Sequence, residues 1–590
     1  MKHRILLYLL LLPILGWAQG DLPHPYSPAE LELLKFDQFA NPPISAFVET
    51  DPPPFVPRSM AEWEEIQSLV VTWTNQKTIL ADIIRYAKEE CEVIVICSSV
   101  SQTENELLNT YNLDNLDNVV LLQAPYNSIW IRDYGPHTIY ENDVDSLYLV
   151  DWKYNRISRP RDDTIPIAIA DYKNLTLYST IEAPNDLVST GGNFQSDGLG
   201  TAFSSKLVLE ENEPGNIYGV SVKTEAQIDQ ILYEYQGIDR YIKFETLPYD
   251  VIHHIDMHFR MLDEERIIFG EYPEGVADGP QIEANIQYLT SNFNSSFGTP
   301  YEIVRIPMPP DDWAYPGQTN WADYRTYTNS VFVNKTVLVP TYDEQYDTTA
   351  LRIYREQLPG YKVYGIDCNS IIESLGALHC IVKAVGVNDP LWIVHQAHGD
   401  VQEAVDSYEI TATIKHRSGI EAAAVFYTAD TTQGYSSVNM TLVDPDTDTW
   451  AADIPGLDAD GEVFYYIHAT ANNGKEQVRP MPAPAGYWNF DVTVPVVGTS
   501  EAVALSSALE DIFPNPASAI TCVPVSSSRP TDALLEVTDL LGRRIEVLFE
   551  GELPSGESKY FLDASRYVPG AYLVSLRAGD RVQVRKLLVQ

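Results

Sequence analysis

Leu69-Val70-Val71-Thr72-Trp73-Thr74, then Ile79, Leu80, Ile83, Ile84 and Ala87, then Cys91-Glu92-Val93-Ile94-Val95-Ile96-Cys97, decide the fold class. The outer runs are short and β-branched and read as strands. The apolar residues between them recur every three or four positions and read as one helix face. Strand, helix, strand is the building unit of a mixed α/β domain. A polar helix near Glu104 to Tyr111 and a strand from Val119 to Leu122 extend it. The pattern returns as strand Ser330 to Pro340, helix Asp347 to Gln357 and strand Tyr361 to Ile366, which predicts internal pseudo-repeats between Trp63 and Gln396.

After His398 the chain changes character. Short alternating strands, Tyr408 to Ile414, Ala423 to Tyr427 and Glu462 to Ala469, are separated by acidic turns and predict an immunoglobulin-like β-sandwich. Asp444-Pro445-Asp446-Thr447-Asp448 lacks the glycine and the distal glutamate of a calcium loop and reads as a hairpin turn. From Leu505 the tail holds nine basic and eleven acidic residues, whereas the whole chain of 590 residues has 39 against 83 and a net charge of −44. That shift marks a separate small β-sandwich. So acidic a chain excludes a nucleic-acid backbone or an anionic membrane as partner.

Lys2 to Arg4, the apolar run Ile5 to Leu15, and Gly16-Trp17-Ala18 form a signal peptide cleaved after Ala18. That run is shorter than the roughly 20 residues of a membrane span, and no transmembrane segment is expected elsewhere. The predicted organisation is signal peptide 1–18, N-terminal extension 19–54, α/β domain 55–397, sandwich 398–494, linker 495–504 and C-terminal module 505–590.

Five cysteines exclude a disulfide scaffold and leave at least one thiol unpaired. Cys91 and Cys97 bracket a strand and, at about 3.3 Å per residue, stand about 20 Å apart, too far for a bridge. Cys522 also reads as core. Cys368 has no reactive setting, whereas Leu375-Gly376-Ala377-Leu378-His379-Cys380 ends an apolar segment in a thiol, the footprint of a cysteine nucleophile.

Three more segments hold polar groups that packing alone does not explain. Trp130-Ile131-Arg132-Asp133-Tyr134-Gly135-Pro136 puts a carboxylate where an apolar strand meets a Gly-Pro break. Gly191-Gly192-Asn193, within a glycine-dense stretch, is not a phosphate loop and reads by itself as hairpin turns. In His253-His254-Ile255-Asp256-Met257-His258, a strand would put His254, Asp256 and His258 on one face, suited to acid/base work or, as a weaker reading, to zinc.

In their chain order, Trp130 to Pro136, Gly191 to Asn193, His254 to Asp256 and His379-Cys380 resemble the guanidine-modifying superfamily, with Tyr327-Thr328-Asn329-Ser330 as a further family segment. The resemblance covers residues 55 to 395. It implies the pentein fold, a fivefold pseudo-symmetric α/β propeller, with Cys380 as nucleophile, Asp133 and Asp256 gripping a guanidinium, and His254 as acid and base, without metal or other cofactor. Trp130, Gly192, Asn193 and Asn329 fall in its substrate-binding places. Within the superfamily, Tyr154-Asn155-Arg156-Ile157-Ser158-Arg159-Pro160-Arg161 is similar to the segment by which bacterial peptidylarginine deiminases hold an arginine's free carboxylate. Arg156 and Arg159 take that role, with Arg161 open as a substitute for Arg159.

Phe513-Pro514-Asn515-Pro516, Val537 to Gly542, Val568 to Leu573 and Lys586 to Val589 resemble the sorting domain of type IX secretion cargo. This implies the type IX machinery as partner and a protein secreted or held at the cell surface after crossing periplasm and outer membrane. The resulting expectation is a secreted deiminase of peptidyl-arginine. Agmatine deiminase and an inactive, arginine-binding surface adhesin are the alternatives.

Overall fold

The computed structural model describes residues 22–34, 48–310, 325–402, 405–494, 507–578 and 581–590. The signal peptide and the linker 495–504 lie outside these.

One sheet unit occurs five times in the α/β domain: a strand runs antiparallel to a second, which a helix connects to a parallel third. The first unit joins Lys383–Gly386 to Ile66–Thr72 and, across helix Lys77–Ala87, to Glu92–Cys97, with Val119–Gln123 added at the edge. The second is His137–Glu141, Leu147–Tyr154, helix Ile165–Lys173 and Leu177–Thr180. The third is Gln195–Ser196, Thr201–Ser205, helix Glu225–Gln236 and Arg240–Phe244. The fourth is Phe259–Met261, Arg266–Glu271, helix Gly279–Asn292 and Glu302–Pro307. The fifth is Val331–Val333, Thr336–Thr341, helix Glu344–Gln357 and Lys362–Asp367.

Local chemistry accounts for these elements. Helix Lys77–Ala87 buries the five apolar residues that its period aligns. Helix Glu225–Gln236 opens on a reciprocal Thr224 and Gln227 cap, which satisfies two otherwise unpaired N–H groups. The central strands are β-branched and covered on both faces, so Val93, Ile94, Val95 and Ile96 are all fully buried. The run Ser330 to Pro340, read from sequence as one strand, is a hairpin turning at Asn334, which adopts the left-handed φ of 51° that asparagine tolerates.

Strand Trp392–Val394, placed by sequence at the end of the α/β domain, pairs with Ser407–Lys415, so the next module starts ahead of His398. That module has two antiparallel sheets sharing a core that includes Ile410, Ile414, Val425, Ile454, Tyr465 and Ile467. Residues 445–448 form the turn between Thr441–Asp444 and Thr449–Pro455. The module is bound to the α/β domain by Arg479, whose Nη2 donates to both Glu264 oxygens at 3.0 and 3.2 Å, and by Lys475 on Glu65.

Residues 495–590 form a separate compact unit. Its described part has a three-stranded and a four-stranded antiparallel sheet, with Val523, Leu535, Val537, Val574 and Leu587 in its core. Among the described residues no helix is long and apolar enough to cross a membrane.

Candidate active site

Each of the five units is entered by a short segment immediately before its first strand, and the candidate residues other than Arg156 and Arg159 lie on or next to those five segments. They are the helical turn Ile131–Tyr134, the 3-10 turns Gly191–Asn193, Ile255–Met257 and His379–Ile381, and the irregular stretch ending at Ser330. Two sequence expectations change here. Asp133 stands on a helical turn and does not end a strand. His254 to His258 is likewise no strand, so a period-two face of His254, Asp256 and His258 does not form. His254 and Asp256 nevertheless reach the site, while both ring nitrogens of buried His258 lack a described partner.

Cys380 is fully buried, and Asn329 fixes it. The Asn329 Oδ1 accepts from the backbone N–H of His379 at 2.8 Å and of Cys380 at 3.3 Å, while its Nδ2 donates to the Cys380 Sγ at 3.2 Å. Asp256 Oδ2 lies 3.5 Å from the same sulfur. Gly376 allows this closeness, since a Cβ there would stand 2.5 Å from the Trp130 ring and 3.2 Å from Sγ.

Opposite, Asp133 Oδ1 accepts from the Gly192 N–H at 3.3 Å and lies 3.6 Å from His254 Nδ1. Thr190 Oγ1 holds the other ring nitrogen at 3.0 Å. Gly192 is in the middle: a Cβ would meet His254 Nδ1 at 2.6 Å, Asp133 Oδ1 at 3.1 Å and Asp256 Oδ2 at 3.2 Å. Asn193 points elsewhere, pairing with the Ser205 backbone through both ends of its amide. His254 Nδ1 and Asp256 Oδ1 are buried without a hydrogen-bond partner, a donor or acceptor pair left over for something else.

Behind Asp256 is an ionic network that sequence reading missed. His379 presents Nδ1 to Asp256 Oδ2 and Nε2 to Glu62 Oε2, each at 2.8 Å, and Glu62 also binds Arg132 and Arg260. Both ring nitrogens of His379 face acceptor-only oxygens, so both donate. His379 stood beside Cys380 in the motif, but nothing in the spacing of Glu62 signalled its part.

These charges set the site's proton affinities. Burial pushes the Cys380 thiol well up, and the Asp256 and Asp133 carboxylates push it further. Burial also works against ionised Asp133 and Asp256, but the histidines around them prevail and hold both below the ordinary carboxylate value. Burial lowers His254 to about 4, against the pull of Asp133. The site thus holds two ionised carboxylates and a neutral His254.

The arginine segment meets residues 22–34, which the sequence reading left as an extension. Arg159, with no exposure, places Nε and Nη2 on the two Glu30 oxygens at 2.8 and 3.0 Å; Arg156 Nε donates to the His24 carbonyl at 3.0 Å. Arg161 is exposed. His24 stacks on Trp130 with ring centroids 4.3 Å apart and planes 10° apart, and its Nε2 lies 2.5 Å from Asp133 Oδ2. The one readable signal was Ser27-x-x-Glu30, a capping-box pattern that does close on itself. Among the described residues, His24, Asp133 and His254 bring metal-capable atoms within 4.8 Å of one another, which is a different trio from the one the sequence suggested.

The Porphyromonas-type peptidyl-arginine deiminase family matches residues 58–385, more than half of the chain, and the secretion system C-terminal sorting domain matches 511–590. A curated relative from Vibrio parahaemolyticus, named "Putative agmatine deiminase", is 23% identical over 365 residues, covering 55% of this chain and 95% of its own. A solved structure from Porphyromonas gingivalis, named a "Putative Arginine Deiminase", is 23% identical and covers 56% of this chain and 99% of its own, at a TM-score of 0.49. Another, named a "putative agmatine deiminase", is 19% identical, covers 59% of this chain and all of its own, and at a TM-score of 0.50 shares the fold. With a type IX sorting domain the protein is exported, secreted or displayed at the cell surface, and by its matched domain the chain belongs to the Porphyromonas-type peptidyl-arginine deiminase family.

Proposed function

We propose that this is a secreted, cysteine-dependent deiminase converting peptidyl-arginine, with the arginine at the peptide's C-terminus, to citrulline and ammonia. The five units are then the blades of a pentein propeller, and the module from Trp392 to Val494 is an immunoglobulin-like sandwich. The observation that carries the substrate reading is Arg159, buried beside the site with its guanidinium forked onto a carboxylate. That is the grip a free C-terminal carboxylate needs, and agmatine has nothing to offer it.

In this mechanism the substrate guanidinium stacks on Trp130 and donates to Asp133 and Asp256, including the unpartnered Oδ1 of Asp256. Its positive charge offsets the two carboxylates that keep the Cys380 thiol protonated, so the sulfur ionises when substrate is seated and its proton passes to His254. The Sγ attacks the guanidinium carbon. His254 returns the proton to the departing nitrogen, the C–N bond breaks, and ammonia leaves a thiouronium on Cys380. His254 then takes a proton from water, hydroxide attacks the same carbon, the C–S bond breaks, and citrulline is released. Asn329 donates to the sulfur throughout, and no step calls for a metal or cofactor.

Citrulline production tests this, comparing a peptide ending in arginine, its C-terminal amide, and agmatine. Turnover of the free acid alone supports the reading. Equal turnover of the amide removes the carboxylate role from Arg159. Preference for agmatine, the second reading suggested by the names of the relatives, overturns the peptide substrate. Cys380→Ser, which abolishes turnover but not ligand binding by an adhesin, separates enzyme from binding protein.

A further inference from the structure

We infer that residues 22–34 are a built-in pseudosubstrate: the chain's own N-terminal segment fills the peptide-binding cleft, with the His24 ring in the guanidinium seat and the Glu30 carboxylate in the carboxylate seat. The assignment of the two seats rests on the deiminase reading above; the occlusion of Cys380 does not.

The protonation of His24 follows from its partners. Nδ1 lies 2.8 Å from the Leu375 carbonyl and Nε2 lies 2.5 Å from Asp133 Oδ2. Both oxygens only accept, so both ring nitrogens donate and the ring is a flat, delocalised cation. That cation is stacked on Trp130 and bound to Asp133, as a guanidinium would be. It also cannot react: its N–C–N carbon resembles a guanidinium carbon, but both nitrogens are tied into the ring, and attack at that carbon expels no ammonia.

The second anchor is Arg159. Among the described residues, every hydrogen-bond partner of its side chain belongs to the segment: Glu30, the Pro23 carbonyl and the Pro25 carbonyl. Its Nη1 is buried without a partner. Lifted away, the segment would leave a buried guanidinium bound to nothing, which is the state of a receptor for an external carboxylate. Arg159 in turn holds the Glu30 carboxyl down to about 2 although burial opposes it, so the pair stays ionised through the neutral range.

Between these anchors the segment is bound as a peptide. Trp130 Nε1 donates to the Leu22 carbonyl at 2.9 Å, and the Tyr26 hydroxyl donates to the Asn155 carbonyl at 2.7 Å. Pro23 and Pro25 flank His24 and restrict the free segment, which lowers the entropy lost on seating. His24 and Glu30 are 0% and 1% exposed, so no external peptide can share the cleft with them. Access therefore requires that the segment be displaced or removed.

The test is alkylation of Cys380 by iodoacetamide in the full chain, read at that residue by mass spectrometry and so independent of any substrate. Wild type is compared with His24→Ala, Glu30→Gln and the double variant, each checked for an unchanged melting temperature. Loss of two charge-assisted contacts is expected to speed labelling by about 10-fold or more, and a synthetic peptide of residues 22–34 should restore protection where its His24→Ala version does not. Hydrogen exchange on wild type, which needs no variant to fold, should show the backbone amides of 22–34 protected. Labelling rates within about twofold of wild type, an inert wild-type peptide, or an unprotected segment overturns the proposal. Faster labelling without citrulline from any guanidine supports the plug and counts only against the deiminase reading.

Discussion

Asn329 binds Cys380 at both ends of its amide, with Oδ1 taking the residue's backbone N–H and Nδ2 donating to its sulfur at 3.2 Å. One side chain therefore both sets the turn and, in the proposed mechanism, supplies the donor where negative charge develops. Asn329→Ala is expected to lower kcat by about 100-fold, the scale of losing one preorganised donor. Asn329→Asp should do worse, because it sets a third carboxylate beside a thiol that Asp256 and Asp133 already push up. Steady-state kinetics on both variants check this, and equal kcat in the two would remove the donor role.

Gly192→Ala would drive a methyl into His254, Asp133 and Asp256 together, with no flexible end to absorb the 2.6 Å approach to the His254 ring. Displacement of catalytic groups by about 1 Å costs about 100-fold in rate, so activity should fall by at least that while the melting temperature changes little. A variant with wild-type kcat would show that the ring has room to move.

Glu62→Ala leaves Arg132 and Arg260, 3% and 0% exposed, without their shared carboxylate and leaves one His379 nitrogen unpaired. Breaking a buried ionic network from one side costs about 3–5 kcal/mol. Urea denaturation should show a loss of that order, together with reduced kcat because the His379 ring that orients Asp256 loses its anchor on the other nitrogen. Glu62→Gln, keeping the shape, should recover part of the stability and little of the rate.

Glu211 is pushed up to about 7 by burial, more than its hydrogen bond from Asn155 and the charge of Arg156 pull it down. A carboxyl whose folded pKa lies above its unfolded value of about 4.3 favours folding when protonated, and that contribution is lost as pH rises from there through about 7. Glu211→Gln should therefore melt higher than wild type at pH 8, with the gap shrinking towards pH 5. A gap that is constant with pH would show that Glu211 is ionised throughout.

Much of this was legible in the sequence because it is local. The apolar period of Ile79, Leu80, Ile83, Ile84 and Ala87 dictates a helix whatever surrounds it, and β-branched runs between turn residues dictate strands. The motif residues Asp133, His254, Asp256 and Cys380 could be named because their four short peptides, in chain order, together resemble one family's pattern, which no one of them carried by itself. Local pattern failed where backbone conformation is set from outside. His254 to His258 alternates like a strand, yet it is a turn because the chain must bend there to enter its sheet unit.

What the tertiary structure alone decided is the convergence. The five segments are spread from Trp130 to Cys380, and the repetition of one sheet unit, each entered at the same end, brings Asn329 and Asp256 within 3.5 Å of the Cys380 sulfur and Asp133 within 3.6 Å of His254. It also decided that Arg159 is buried and Arg161 exposed, since two residues of spacing do not tell which side chain turns inward. The place of His24 and Glu30 was equally beyond the sequence: nothing local distinguishes a surface extension from a segment held by a buried carboxylate and a buried guanidinium more than a hundred residues away, because long-range electrostatic complementarity leaves no periodicity in the chain.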